Sequence, residues 1–184
     1  MKKFGAVLLA GCLLCAGAQA VPEQNIFSIT ASAAGTFDYD GLQYTDNNTY
    51  AVVNGLARGN DSTEIIIPAK AVAEDGTELK VTQIKNGSGG FFSSPSGAFV
   101  NQDTIEKVVF GENLSTIGSY AFYGCNALQS LTFSDTLQTI GKTSFCKCIA
   151  LSSVTFPASL KTIEQNEKEL LENSDAVSCY GIEL

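Results

Sequence analysis

Histidine is absent from this chain of 184 residues, so the side chains that could do chemistry are mainly cysteines and carboxylates. Histidine is the usual general base for serine and cysteine nucleophiles, and it is the commonest transition-metal ligand. Cys146 and Cys148 form a C-x-C pair, but no second cysteine pair stands at the spacing of a zinc site. The sequence therefore predicts neither a histidine-assisted nucleophile nor a metal site.

Two pairs of carboxylates, Asp38 with Asp40 and Glu74 with Asp75, have the residue type that glycoside hydrolysis requires. Both pairs lie in polar, turn-like sequence, which favours solvated turns over a sugar-binding cleft. The glycines between residues 87 and 90 lack the lysine and the following helix of a phosphate-binding loop. We therefore predict no enzymatic activity, no catalytic residues and no cofactor.

The chain begins with a targeting segment. A basic "MKK" precedes an apolar run of 13 residues, and Ala18 and Ala20 provide a cleavage site. The run is shorter than the roughly 20 residues of a membrane-spanning helix. Residues 1–20 are predicted to be a secretory signal peptide, so we expect a secreted or cell-surface protein without a transmembrane segment. A less favoured alternative is a lipoprotein acylated at Cys12, within "LAGC".

The remaining chain is acidic. Without Lys2 and Lys3 it carries 9 basic and 19 acidic residues, a net charge of −10. Such a surface repels nucleic acid and anionic lipid headgroups. Nucleic acid is therefore excluded as a partner class.

Apolar residues recur every 23 positions. Residues 117–139 and 140–162 share 11 of 23 identities. The series with this step are Ile117, Ile140, Ile163; Phe99, Phe122, Phe145; Ile105, Leu128, Leu151; Val108, Leu131, Val154; Phe110, Phe133, Phe156; and Leu114, Leu137, Leu160. One coil cannot cover so many apolar groups, whereas stacked coils bury them against each other.

Each coil contains an alternating segment, with Leu131 and Phe133 predicted inward and Ser130 and Thr132 outward. We expect these strands to form one parallel sheet along one face, with equivalent phenylalanines above one another. The predicted fold class is thus a mainly β solenoid, a short array of 23-residue coils. Upstream, residues 36–84 read as antiparallel hairpins separated by turns.

The motif I-G-x-x-A-F-x-x-C-x-x-L-x-x-[VL]-x-F-x-x-x-L-x-x-I is complete in residues 117–140 and nearly complete in 140–163. It resembles the BspA-type leucine-rich repeat of surface proteins from host-associated anaerobic bacteria. Residues 36–84 are similar to the β-hairpin cap that often precedes such repeats. The resemblance implies secretion to the cell surface and non-catalytic, adhesion-like binding of host extracellular-matrix proteins or other bacterial surface proteins.

The resulting division of the chain has five parts. They are a signal peptide (1–20), a linker or loose first strand (21–35), an N-terminal β cap (36–84), leucine-rich repeats (84–163) with a loop insertion (85–95), and a degenerate last coil with a short helix (164–184).

The cysteines divide by their place in the repeat. Cys125 and Cys148 occupy equivalent positions, which favours small buried side chains with free thiols over a disulfide. Cys146 aligns with Tyr123 outside the predicted core, so it is the expected exposed thiol. It could pair with Cys179 if the C-terminal segment folds back.

The candidate binding residues are those predicted to point outward from the sheet. They are Lys107, Val109, Ser130, Thr132, Ser153 and Thr155, with Ser178 on a doubtful last strand. Tyr120 and Tyr123 are further candidates at the coil edge, because tyrosine is favoured in interfaces. These residues are either a plain hydroxyl-rich surface or a shallow strip for protein binding. A carbohydrate-binding module is the alternative function, and the oligomeric state stays open.

Overall fold

The structure is a computed structural model that describes residues 35–90 and 93–164. The predicted signal peptide, nearly all of the linker, Ser178 and nearly all of the predicted last coil lie outside these residues. Among the described residues there is no helix long and apolar enough to cross a bilayer.

The described residues form thirteen strands. In chain order they are β1 (Thr36–Tyr39), β2 (Leu42–Asp46), β3 (Tyr50–Leu56), β4 (Glu64–Ile67), β5 (Lys70–Val72), β6 (Glu78–Ile84), β7 (Ser88–Gly90), β8 (Ser93–Ser96), β9 (Lys107–Phe110), β10 (Thr116–Ile117), β11 (Ser130–Thr132), β12 (Thr139–Ile140) and β13 (Thr162–Ile163).

Two sheets flank the core. Sheet A has the order β1-β2-β3-β6-β10-β12-β13, with β5 also paired to β6. Its first three strands are antiparallel, and the pairings from β3 through β6 to β13 are parallel. Sheet B has the order β11-β9-β4, and all its pairings are parallel. The segment before the repeats therefore supplies the strand that pairs with the first repeat strand of each ladder, β6 with β10 in sheet A and β4 with β9 in sheet B.

The predicted parallel sheet is present as sheet B, but the prediction is incomplete because it placed parallel pairing on one face only. A second parallel ladder runs through the short Thr-Ile segments β10, β12 and β13. The physical reason is that backbone groups on both flanks of a buried core need hydrogen-bond partners, so each coil pairs with its neighbours on both sides. Leu137 and Ile140 point inward at this second ladder and are almost fully buried.

The register of the ladders follows the repeat. Thr116 pairs with Thr139 and Thr139 with Thr162 in sheet A, while Lys107 pairs with Ser130 in sheet B. The turns between the ladders are also bonded from coil to coil.

In these turns the N–H of Phe99 donates to the carbonyl of Ala121 at 2.7 Å, and the N–H of Phe122 donates to the carbonyl of Ser144 at 2.8 Å. The recurring glycine after isoleucine permits this close approach, since a Cβ on Gly141 would collide with the backbone N of Ser119.

Two stacks of phenylalanines fill the core between the ladders. Phe122 lies between Phe99 and Phe145, with ring centroids 4.8 and 5.4 Å apart and the rings nearly parallel. The second stack places Phe133 between Phe110 and Phe156 at 5.1 and 5.7 Å. The predicted alignment of equivalent phenylalanines is confirmed.

The thiols of Cys125 and Cys148 are free and buried, as predicted. Each donates to a backbone carbonyl of the preceding coil, Cys125 Sγ to Phe99 at 3.0 Å and Cys148 Sγ to Phe122 at 3.2 Å. Burial raises the pKa of both thiols from the ordinary 9.0 to about 12. They act as small core side chains that also satisfy a carbonyl.

The prediction that Cys146 is exposed is wrong. Its side chain is 3% exposed, and the residue is disulfide-bonded. Cys179, the predicted partner, lies outside the described residues. Alignment with Tyr123 misled because tyrosine keeps its hydroxyl near water at a turn position where a smaller cysteine side chain is enclosed.

The predicted loop insertion at residues 85–95 contains an antiparallel hairpin formed by β7 and β8. This hairpin packs on the first complete coil, because a Cβ on Gly89 would lie 2.8 Å from the ring of Tyr120. Glycine at position 89 thus allows the hairpin backbone to lie against the aromatic ring.

One turn position adopts a left-handed backbone in successive coils. It is occupied by Asn101, Gly124 and Lys147, with φ values of 55°, 74° and 61°. Glycine adopts this conformation freely and asparagine tolerates it, whereas other L-residues are strained there. Lys147 therefore carries backbone strain that Gly124 does not.

Replacing Phe122 tests the core stacks. We expect Phe122→Ala to lower the free energy of unfolding by about 3–5 kcal/mol, because it leaves a cavity between two rings. Phe156→Ala, at the partly exposed end of the other stack, should cost less. Urea denaturation followed by circular dichroism measures both, and equal losses would contradict the stacked core.

Thiol reactivity tests the burial of Cys125 and Cys148. At pH 8 a chromogenic disulfide reagent should label neither thiol in the folded chain and both in denaturant. The control is the double variant Cys125→Ala, Cys148→Ala. In denaturant it should bind two fewer equivalents of the reagent than the unmodified chain. Labelling of either thiol at the unfolded rate under native conditions would contradict the buried positions.

The same thiols predict a pH dependence of stability. Their folded pKa of about 12 exceeds the ordinary 9.0, so the unfolded chain loses these protons first as the pH rises. The free energy of unfolding should therefore fall between pH 9 and pH 12. The fall should be shallower in the double alanine variant, and identical slopes would contradict the raised pKa values.

Backbone strain at Lys147 is measured by comparing two substitutions. Lys147→Gly and Lys147→Ala both remove the side chain, but only glycine relieves the left-handed backbone. We expect the glycine variant to be more stable than the alanine variant by about 0.5–1 kcal/mol in urea denaturation. Equal stability, or a more stable alanine variant, would contradict the strain.

Candidate binding surface

Sheet B brings four predicted binding residues into one register. Lys107 lies opposite Ser130 and Val109 lies opposite Thr132 on neighbouring parallel strands. Their side chains point away from the core because Val108 and Phe110 alternate with them and are buried. These four residues therefore share one outward face.

Strand β4 extends this face by two residues that the sequence analysis missed. Glu64 pairs with Lys107 and Ile66 pairs with Val109. We call Glu64, Ile66, Lys107, Val109, Ser130 and Thr132 the sheet B face. It has a polar row of Glu64, Lys107 and Ser130 beside a row of Ile66, Val109 and Thr132.

The missed residues carried a weak signal. "TEIIIPA" contains the β-branched run of a strand, but Glu64 stands 43 residues before Lys107 rather than 23. Repeat spacing therefore did not align β4 with β9. The pairing becomes apparent only when β5 and β6 are seen to occupy the intervening chain within sheet A.

An ion pair stabilises the polar row. Lys107 Nζ lies 2.8 Å from Glu64 Oε1, and both side chains are about half exposed. Exposed pairs of this kind contribute little stability because water screens them. Its main effect is to hold two long side chains along the sheet, so that Ile66, which is 56% exposed, is accessible beside them.

Ser153 and Thr155 do not join this sheet. Both are exposed, but residues 151–157 form no strand, so the prediction that they lie on an outward strand is wrong. Phe133 and Phe156 remain stacked at 5.7 Å, and the core register therefore continues without the ladder. Proline at position 157, which has no N–H to donate, follows this segment.

The two tyrosines have different environments. Tyr120 is 8% exposed and lies under the β7–β8 hairpin, so its predicted place on an accessible edge is wrong. Tyr123 is partly buried, with its ring 5.8 Å from that of Tyr120. Lys147 Nζ lies 5.3 Å from the Tyr123 ring centroid, a cation–π contact between successive coils.

The acidic pairs occupy turns and strand ends rather than a shared cleft. Asp75 accepts a hydrogen bond from the N–H of Thr77 at 2.8 Å, which lowers the pKa of this exposed carboxyl. Asp40 stands in the β1–β2 turn with a φ of 48°. Within the described ranges no group of three histidine, cysteine, aspartate or glutamate residues could hold a metal ion.

Solved structures share this fold. A leucine-rich repeat protein from Bacteroides capillosus aligns with a TM-score of 0.61 and 27% identity, over 70% of this chain and 87% of the other. The T. pallidum leucine rich repeat protein aligns at 0.55 and 23%, over 70% of this chain and 53% of the other. A leucine rich cell surface protein from Faecalibacterium prausnitzii aligns at 0.51 and 18%, over 74% and 33%.

The similarities to the T. pallidum and Faecalibacterium prausnitzii proteins concern the fold alone. This chain spans about half of the first protein and a third of the second. A comparison with curated proteins finds no match. The family model for the BspA type leucine rich repeat region matches residues 93–175 in six copies. Over residues 93–175 this chain is therefore similar to the BspA-type leucine-rich repeat family.

Proposed function

We propose that this chain is a secreted or cell-surface, non-catalytic protein that binds another protein through the sheet B face. Its architecture is a short array of 23-residue coils behind an N-terminal β cap. The partners are host extracellular-matrix proteins or surface proteins of other bacteria. The match of residues 93–175 to the repeat family supports this function, because repeat proteins present extended surfaces to their partners.

The single observation that carries the proposal is the composition and register of the sheet B face. Three strands align Ile66, Val109 and Thr132 in one row, next to the ion-paired row. A flat surface that combines exposed apolar and small hydroxyl side chains with charges at one side has the character of a protein interface. It is too shallow to enclose a small molecule.

The carbohydrate-binding alternative has less support. Sugar-binding surfaces rely on exposed aromatic rings, and the sheet B face has none among its six residues. Tyr120 is buried, and Tyr123 already contacts Lys147. We therefore favour a protein partner.

Two substitutions test the sheet B face. The chain should first be screened against a panel of extracellular-matrix proteins and against a glycan array. We expect saturable binding to at least one protein, and a loss of at least tenfold in affinity for Val109→Arg combined with Thr132→Arg, measured by surface plasmon resonance. Two long cations in the row would block close contact.

The matched control is Thr49→Arg combined with Ser94→Arg. It adds the same charge at two exposed positions outside sheet B, and it should bind like the unmodified chain. If the unmodified chain, the variant with Val109→Arg and Thr132→Arg, and the control all bind with equal affinity, the sheet B face is not the binding surface. Binding to glycans alone would favour the carbohydrate alternative.

A further inference from the structure

The outer edge of sheet B is open on the side of β4. Among the described strands β4 pairs with β9 alone. The carbonyl of Thr63 accepts the N–H of Lys107 at 3.2 Å, and the carbonyl of Ile67 accepts the N–H of Gly111 at 2.8 Å. Because successive residues of a strand direct their backbone groups to opposite sides, the N–H and C=O groups of Glu64 and Ile66 point away from β9.

A cleft of about 170 Å³ lies along this open edge. It is lined by Glu64, Ile65 and Ile66 of β4, together with Asp40, Leu42, Asn60 and Ser62. No residue of β9 lines the cleft, so it lies on the unpaired side of β4. Its volume is below the roughly 300–1,000 Å³ of typical small-molecule sites and suits a single long side chain.

Hydrogen bonds link the β1–β2 turn to the loop that precedes β4. The carbonyl of Gly41 in the β1–β2 turn accepts the N–H of Ala57 at 2.9 Å and the side-chain Nδ2 of Asn60 at 2.7 Å. Asn60 Oδ1 in turn accepts the N–H of Ser62 at 3.0 Å. These bonds connect the turn that carries Asp40 to the residues that immediately precede β4.

The charge of the cleft is negative. Asp40 and Glu64 line it, and none of the described residues that line it is a lysine or an arginine. Asp61 is exposed in the adjoining loop, and the exposed Arg58 of that loop is not part of the lining. Lys107 pairs with Glu64, which leaves the Asp40 carboxylate as the unneutralised charge at the cleft.

We propose that the β4 edge and its cleft bind an extended segment of a partner protein that carries lysine or arginine, which would extend sheet B by one strand. The backbone groups of Glu64 and Ile66 would bond the segment, as in other cases of strand addition. The cleft would take one basic side chain toward Asp40. This site goes beyond the proposed function, because it is an edge site and does not require the sheet B face to bind anything.

The negative charge of the cleft disfavours two other occupants of this edge, a second copy of the chain and the chain's own residues 21–34. Two copies paired through β4 would bring Glu64 and Asp40 of each copy toward those of the other. Residues 21–34 contain Glu23 and no lysine or arginine, so this segment lacks the cation that would complement the cleft. Acidic residues on open edges protect against self-pairing and leave basic segments as the compatible partners.

A random library of displayed octapeptides is the probe, selected in parallel on the full chain and on its Ile66→Pro variant. Proline removes one outward N–H and no bond to β9, so an edge strand tolerates it. We expect the peptides recovered on the full chain to be enriched in lysine and arginine. Their affinity for Ile66→Pro should be at least tenfold weaker.

Ile66→Thr is the matched variant, since it keeps the N–H and a β-branched side chain, and it should bind within about threefold of the original. Asp40→Asn retains a residue that tolerates the left-handed turn, and it should weaken binding about tenfold and reduce the preference for basic residues. Circular dichroism and thermal unfolding establish that the variants are folded.

A synthetic peptide of the most enriched sequence gives a second measurement that does not depend on Ile66→Pro folding. Methylation of alternate backbone nitrogens keeps its charge but removes its edge hydrogen bonds, and should weaken binding at least tenfold. The proposal is overturned if no peptide is enriched, if enrichment shows no basic preference, or if methylation leaves affinity unchanged. Self-association of the chain that Ile66→Pro abolishes would assign the edge to a second copy instead.

Discussion

Contact between equivalent side chains of successive coils is the interaction on which the rest of this structure depends. Phe122 is completely buried because the rings of Phe99 and Phe145 cover its two faces. A coil by itself would expose such a ring, so each coil is stable only against its neighbours. The two parallel ladders and the bonded turns follow from this requirement, because stacking in register brings backbone donors of one coil next to acceptors of its neighbour.

A stacked array needs a cover where it begins. Here the N-terminal strands supply it twice, since β6 pairs with β10 in sheet A and β4 pairs with β9 in sheet B. The core continues from the repeats into this region through residues such as Tyr44 and Ile67, both fully buried. Among the described strands the outer edge of β4 stays unpaired, and that edge adjoins a cleft. The same strand, β4, therefore both covers the core and leaves a free edge for binding.

The position of a residue within the repeat predicted burial better than it predicted strand pairing. The Phe99 series was correct because a large apolar residue recurring at a fixed step has no other place than the core. Ser153 and Thr155 were assigned to a strand by the same step, yet residues 151–157 form none. Hydrogen bonding of a terminal coil depends on local backbone geometry that a hydrophobic pattern does not specify. Cys146 was misplaced for a similar reason, because alignment with a larger residue does not determine how enclosed a smaller one becomes.

Spacing and residue type in the sequence were sufficient to predict stacked coils, the rows of phenylalanines, the buried free thiols and four residues of the sheet B face. These properties depend on contacts between equivalent positions, and equivalent positions are visible as a period. The participation of Glu64 and Ile66, the second ladder and the cleft beside β4 were decided by tertiary structure alone. They arise where segments meet that are not separated by the repeat period. The order of the residues does not specify how such segments pack against each other.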